Sequence, residues 1–328
     1  MLTIKKFMRT LVLISLLIST GTVGAQESGE ALKLNTPAIK ASQRLLMDVQ
    51  SIENNRLVAV GERGHILLSD DQGESWRQVL IPTEALLTRL FFIDGKVGWA
   101  VGHQQVILKT EDAGESWVVQ YSNDSLDQPA LFDIWFKNAN NGIAIGSYGL
   151  YLTTNDGGKT WEDVYLENLE DEEIGFSHFY AVAYEPDSKK LFMAGELGFL
   201  AVSDDLGQSW KKMDSPYEGS FFDIIELPNG YLLTLGLRGH LFRSKDLGES
   251  WEEITTGTVS GLQKALVLPT NKVLIVGSDG TQLISNDFGK SVKLFQRDDR
   301  AHLAGAVALP NHEILIVGIK GVLKAQLN

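Results

Sequence analysis

The chain contains no cysteine in 328 residues. That excludes thiol catalysis, cysteine-ligated metals and disulfides at one stroke. Basic residues are also short, with 29 Lys and Arg against 42 Asp and Glu, for a formal charge of −13. So acidic a chain is a poor candidate for nucleic acid, whose phosphates are bound through Lys and Arg. An anionic lipid surface should repel it. Nine arginines follow residue 25, and none lies between Arg89 and Arg238. The six histidines show no H-x-x-x-H spacing, and His65 and His240 fall in equivalent turns far apart in the chain. Neither a metal site nor a cofactor is expected from these patterns.

At the N-terminus, Lys5, Lys6 and Arg9 precede the apolar run 11–18, and small residues end at Ala25. A charged start, a short apolar core and a small-residue cleavage site read as a secretory signal peptide covering 1–25. The run is too short to span a bilayer. No cysteine follows it, which argues against a lipoprotein anchor. Loss of the three positive residues takes the formal charge from −13 to −16. Export without cysteine suits a periplasm, with secretion as the alternative. The mature chain 26–328 is long enough for one large domain that needs no disulfide.

What the chain has in abundance is repetition. SDDQGESW at 69–76 returns as TEDAGESW at 110–117, TNDGGKTW at 154–161, SDDLGQSW at 203–210, SKDLGESW at 244–251 and SNDFGKSV at 285–292. The aspartates are Asp71, Asp112, Asp156, Asp205, Asp246 and Asp287. A period of about 40–50 residues with strand-like flanks is that of a β-propeller, one repeat per four-stranded blade. Within the phrase, the aspartate can bind backbone N–H groups of its own turn and the glycine can take positive φ. The tryptophan then packs into the blade. Sixfold recurrence marks these residues as structural, since a catalytic group is needed once.

A second motif, Gly-x-x-Gly, starts at Gly61, Gly146, Gly195, Gly236, Gly277 and Gly318, and Gly102 begins an incomplete copy. There are therefore seven units, each with strands before and after this turn. The seventh, 302–328, supplies only three strands. A blade with a bare edge invites pairing with other chains. The segment 31–42 is the expected fourth strand, closing the ring from the N-terminal end. The fold class is thus all-β, a seven-bladed propeller of four-stranded antiparallel blades.

Two sets of positions are candidates for function. Registering the innermost strands on the first glycine aligns Asp48, Arg89, Asp133, Ala181, Asp223, Lys264 and Gly305. Five charged residues there form a mixed-sign ring around the central channel. It reads either as a set of neighbouring ion pairs, such as Asp48–Arg89–Asp133, or as a polar funnel for a ligand. The turns above it carry Arg63, Gln104, Tyr148, Arg238, Asp279 and Lys320. This is the face with the more varied loops, and Arg63 and Arg238 suit a partner's carboxylate or backbone. An acidic stretch, Glu167, Glu170, Asp171, Glu172 and Glu173, reads as a solvated loop or a dock for a basic surface.

The unit of Gly-x-x-Gly, strand and [ST]-x-D-x-G-x-[ST]-W, typified by VGWAVGHQQVILKTEDAGESW at 97–117, resembles the Asp-box (BNR) repeat. It is most similar to the photosystem II stability and assembly factor-like family of seven-bladed propellers. The resemblance implies a non-enzymatic lumenal or periplasmic factor that docks on a membrane protein complex; with the export signal, the expected partner is an inner-membrane complex or transporter, and the chain is expected to be monomeric by itself and not to insert in the bilayer. It does not carry over a photosystem partner. Two other classes compete. A sialidase-like glycosidase also carries Asp boxes, but the Arg-Ile-Pro phrase of sialidases is absent. A glycan- or peptide-binding propeller would use aromatics of the turn face, for which Tyr148, Phe176, Phe179 and Tyr217 are candidates.

Overall fold

The computed structural model describes residues 34–123, 129–173 and 175–327. The proposed signal segment, and residues 31–33 of the expected closing strand, lie outside them. The described chain forms seven antiparallel sheets in sequence order, with no strand exchanged between them. Blade 1 runs from Leu46–Ser51 to Arg77–Val79, blade 2 from Leu87–Phe92 to Val118–Tyr121, and blade 3 from Leu131–Phe136 to Glu162–Asp163. Blades 4, 5 and 6 begin at Phe179–Glu185, Phe221–Glu226 and Leu262–Val267, and blade 7 at Leu303–Ala308.

The second strand of each blade is sandwiched between two neighbouring blades. Leu57–Gly61, Gly98–Gly102, Gly142–Gly146 and Val273–Gly277 are buried at every position. Burial on both faces explains why these segments are continuous apolar runs and not alternating ones. Seven apolar clusters result, one per gap between adjacent blades. The gap between blades 1 and 2, for example, holds Val58, Val60, Leu68, Leu90, Leu108 and Trp117. Each box tryptophan packs backward on the preceding blade: Trp117 is 6% exposed and Trp210 is 3% exposed.

The six Asp boxes are superimposable networks. In the first, the Ser69 hydroxyl donates to Asp71 Oδ1 at 2.8 Å, and the Ser75 N–H donates to the same oxygen at 2.9 Å. The Ser75 hydroxyl donates to Asp71 Oδ2 at 2.5 Å, and the Gly73 N–H to Ser69 Oγ at 2.8 Å. Asp112, Asp156, Asp205, Asp246 and Asp287 repeat every one of these bonds. The Ser75 hydroxyl, its backbone N–H and Ser69 hold Asp71 down at about 2; the Thr160 N–H and hydroxyl do the same for Asp156. A carboxylate that accepts several hydrogen bonds is held in its charged form.

The closing strand is a correction. Blade 7 has three strands among the described residues, Leu303–Ala308, Ile314–Gly318 and Gly321–Lys324. Residues 34–40 form no strand and belong to blade 1. Asn35, 3% exposed, accepts the Ile81 N–H on its Oδ1 at 3.0 Å and donates from Nδ2 to the Gly64 carbonyl at 2.9 Å. The Ala38 N–H donates to Gln78 Oε1 at 2.8 Å. One buried amide matched to blade 1 outweighs a register on blade 7 that no side chain specifies.

The edge of blade 7 is protected in another way. Arg297 of blade 6 donates to the Lys324 carbonyl at 2.6 Å, and the Gln282 side chain exchanges hydrogen bonds with the Gln326 backbone at 3.0 and 3.1 Å. Side chains thus cap outward-facing backbone groups that a fourth strand would have paired. The ring closes mainly by packing, as Leu46, Val49, Leu57 and Leu67 of blade 1 meet Val307, Leu309, Leu315 and Val317 of blade 7, with an exposed ion pair from Lys324 to Glu74 at 3.4 Å across the seam.

Candidate functional site

Each blade's first strand carries a β-bulge at the same place. In blade 1 the pairing steps from Leu46–Gly61 to Asp48–Val60 and leaves Met47 unpaired. The equivalent extra residues are Thr88, Phe132, Tyr180, Phe222, Gln263 and Ala304. The bulge brings the Leu45 carbonyl against Gly61, where an added Cβ would lie 2.1 Å from that oxygen. The first glycine of each turn is therefore fixed by close backbone approach, not by φ.

The turns that follow are two-residue hairpins with both central residues left-handed. Arg63 has φ 54° and ψ 34°, and Gly64 has φ 64°. This is the type I′ geometry, whose twist matches the flanking strands. Gln104, Tyr148, Arg238 and Asp279 take the same left-handed conformation. Lys320 is not among the positive-φ residues, and only Gly321 in its turn is left-handed. Blade 7 pairs Gly318 directly with Gly321, so its turn is shorter and Lys320 is not geometrically equivalent to the others.

These six side chains do not converge. Asp279 is paired with Arg300 at 2.9 Å and Lys320 with Asp299 at 3.5 Å. Tyr148 is 69% exposed and stands edge-on to His178, whose Nδ1 accepts the Tyr148 N–H at 2.8 Å. Gln104 gives its carbonyl to Asn123. Arg63 and Arg238 form no ion pair among the described residues. Arg63 lines a groove beside residues 36–40, and Arg238 a second one with His240, Glu253 and Asp279.

The registered ring is assembled around the axis by alternate blades. Asp48 Oδ2 accepts the Leu90 N–H of blade 2 at 3.0 Å, Asp133 Oδ2 the Val182 N–H of blade 4 at 2.9 Å, and Asp223 Oδ2 the Ala265 N–H of blade 6 at 2.9 Å. Arg89 Nε lies 3.2 Å from Asp133 Oδ1, and its Nη2 is 4.0 Å from Asp223 Oδ1, three blades away. Lys264 Nζ is 3.1 Å from Asp223 Oδ1. Arg89–Asp133 is thus a neighbouring pair, whereas Asp48 spends its oxygens on the N–H groups of Val49 and Leu90. Burial pushes Asp48 upward, against Arg89 and Lys264, which favour its charge. Burial also opposes the Arg89 charge, but Asp133, Asp48 and Asp223 outweigh it and raise its basicity.

One feature of the face was not expected from the repeats. Phe132, Tyr180 and Phe222 occupy the bulge position in three consecutive blades and lie half-buried. Their ring centroids are 5.3 and 5.7 Å apart, and none of the three belongs to an inter-blade core. Burial, with Glu196 adding to it, pushes the Tyr180 hydroxyl up to about 12, so it stays a neutral donor. Moving the register one place back from the charged ring would have found this arc. Of the aromatics expected on the face, Phe179 is fully buried in the core between blades 3 and 4. Tyr217 stacks on His240 at 4.1 Å, and Phe176 packs edge-on to Tyr165 at 5.2 Å. No cluster of metal-ligating side chains occurs among the described residues.

Seven blades, six Asp boxes and seven bulged inner strands define an Asp-box propeller. The model of the family described as photosynthesis system II assembly factor YCF48 matches residues 74–168 and 120–265, more than half of the chain, and the chain belongs to that family. No curated protein matches. Among solved structures, "YCF48 bound to D1 peptide" shares 22% identity at a TM-score of 0.66, over 87% of this chain and 94% of that one. YCF48 from Cyanidioschyzon merolae shares 16% at 0.68, over 89% and 97%. A streptogramin B lyase shares 14% at 0.72, over 90% and 97%. At such identities the likeness is one of fold, and that fold serves enzymes as well as binding proteins.

Proposed function

We propose that this chain is a non-enzymatic, protein-binding propeller of the periplasm, docking through its Gly-x-x-Gly face on a membrane protein complex as an assembly, stability or accessory factor. Membership of the assembly-factor family carries the reading. The D1 peptide is a ligand of one structural relative, and it supports a protein or peptide as the ligand class here. Arg63 and Arg238 supply unpaired guanidinium groups on rigid turns of the face.

The channel chemistry also speaks for binding over catalysis. Asp133 and Asp223 are the acids that a glycosidase reading would use, and a retaining enzyme needs two facing carboxylates about 5–5.5 Å apart. Both are instead committed to backbone N–H groups and to Arg89 or Lys264. A second reading, a glycan- or small-peptide-binding propeller, draws on the Phe132–Tyr180–Phe222 arc.

Affinity co-purification of a tagged copy from gently solubilised membranes, followed by mass spectrometry, separates the two. A stoichiometric membrane protein is the expected outcome. A propeller recovered alone, but retained by immobilised glycans, would replace the docking reading with the second one.

A further inference from the structure

The segment 34–44 and blade 1 enclose a groove of about 1060 Å³ that is not part of the central channel. Thr36, Pro37, Ala38 and Ile39 form one wall, and Ile39 is fully exposed at its rim. Lys40, Arg44 and Arg63 line it, and none of the three forms an ion pair among the described residues. Glu62 and Glu84 also line it, so the lining carries one more cation than carboxylates. In a chain of formal charge −13, a cluster of three unpaired cations is out of keeping with its surroundings.

His65 gives a second, independent observation. It lines the same groove at 2% exposure, and its Nδ1 is buried without a hydrogen-bond partner. Burial lowers its basicity, opposed by Glu62 and aided by Arg63 and Arg44, so the neutral ring is favoured. Its counterpart in blade 5, His240, is satisfied by Glu253 at 2.7 Å. Buried polar atoms are nearly always paired, and an orphan in a cavity wall marks a site that a ligand or water completes.

We propose that this groove takes an extended peptide segment of a protein partner, one that presents a carboxylate beside an apolar residue. The carboxylate meets Lys40, Arg44 and Arg63, and the apolar side chain meets Ile39 and the Pro37–Ala38 wall. The groove is far larger than a bare inorganic anion requires, and its size suits several residues. Charge complementarity acts locally, since screening at about 0.1 M salt confines it to roughly 10 Å. This rests on the protein-docking reading, and it names a place and a partner chemistry within it.

The test uses the whole mature propeller and a capped peptide of alternating leucine and glutamate, with a glutamine-for-glutamate peptide as control. Calorimetry should show binding of the acidic peptide that weakens with added salt, and little binding of the control. The double variant Lys40→Glu, Arg44→Glu should weaken binding about tenfold or more. Its thermal midpoint should be that of the parent, because both side chains are exposed. Peptide should also shift the His65 ring resonances, which a remote binding mode would leave in place. Absence of binding, indifference to the double variant, or equal binding of the control each overturns the proposal. So does binding that appears only after deletion of residues 26–33, for then the groove belongs to the chain's own acidic segment. If the groove fails while charge reversal at Arg238 alone, which lies outside the groove, still abolishes partner capture, the docking reading stands without it.

Discussion

The carboxylate of Asp48 receives the backbone N–H of Leu90 at 3.0 Å, so the innermost strand of blade 1 is bonded directly to that of blade 2. Asp133 and Asp223 make the same bond to blades 4 and 6. The charged ring is therefore a set of inter-blade fasteners, and the two cations neutralise acids that the backbone has already fixed in place.

Of these, Asp223 is the one that both cations reach, Lys264 at 3.1 Å and Arg89 at 4.0 Å, while it also accepts the Ala265 N–H. Asp223→Ala leaves Lys264 without its anion and a buried N–H without an acceptor. A loss of about 3–5 kcal/mol is expected for breaking a buried pair from one side. Urea unfolding at neutral pH measures it. A loss within experimental error would show that the channel is wet enough to solvate what is left behind.

Trp117 fills the gap between blades 1 and 2, and its indole N–H donates to the Gly114 carbonyl at 3.0 Å. Trp117→Ala should cost about 3–5 kcal/mol, as large-to-small changes of buried aromatics do. Trp161 and Trp251 carry an indole nitrogen that is buried and unpartnered. Phenylalanine at either position should therefore cost less than phenylalanine at position 117, a comparison open to thermal denaturation.

Acid should unfasten the boxes late. Asp71 and Asp156 are held at about 2, below the 3.8 of an unperturbed aspartate. A depressed carboxylate stabilises the fold fully above its unfolded value, and the contribution fades as pH falls through the folded value. The box contribution should persist at pH 4 and disappear between about pH 4 and 2. Carboxyl carbon NMR shifts of the box aspartates follow it directly, and midpoints near those of free aspartate would refute the account.

Charge reversal at Arg63 and Arg238 should weaken partner capture while leaving the thermal midpoint unchanged, because neither side chain is paired within the fold. Capture from solubilised membranes at equal protein levels reads the effect. An undiminished partner band would remove both residues from the interface.

Repetition made the architecture legible from residues alone. Six aspartates and seven glycines at fixed offsets carry the blade, because a turn that needs a type I′ hairpin or a self-satisfied Asp loop tolerates few other residues. The charged ring was legible for the same reason, since a common register aligns residues that share one axis. The N-terminal segment was not, because its anchor is a single buried amide, Asn35, meeting backbone groups some 28–46 residues further on. Nor was the inequivalence of Lys320, which comes from a turn shortened by one residue. The aromatic arc was missed because Phe132, Tyr180 and Phe222 sit at bulges, where strand alternation breaks down and apolar residues read as core.

The side-chain caps on blade 7 have a mechanical consequence. Among the described residues blades 7 and 1 share no strand, and the seam between them is held by apolar packing and by the ion pair from Lys324 to Glu74 at 3.4 Å. Pulled from its ends, the ring should part there first, with blade 7 peeling away while the backbone ladders of the other six blades remain whole.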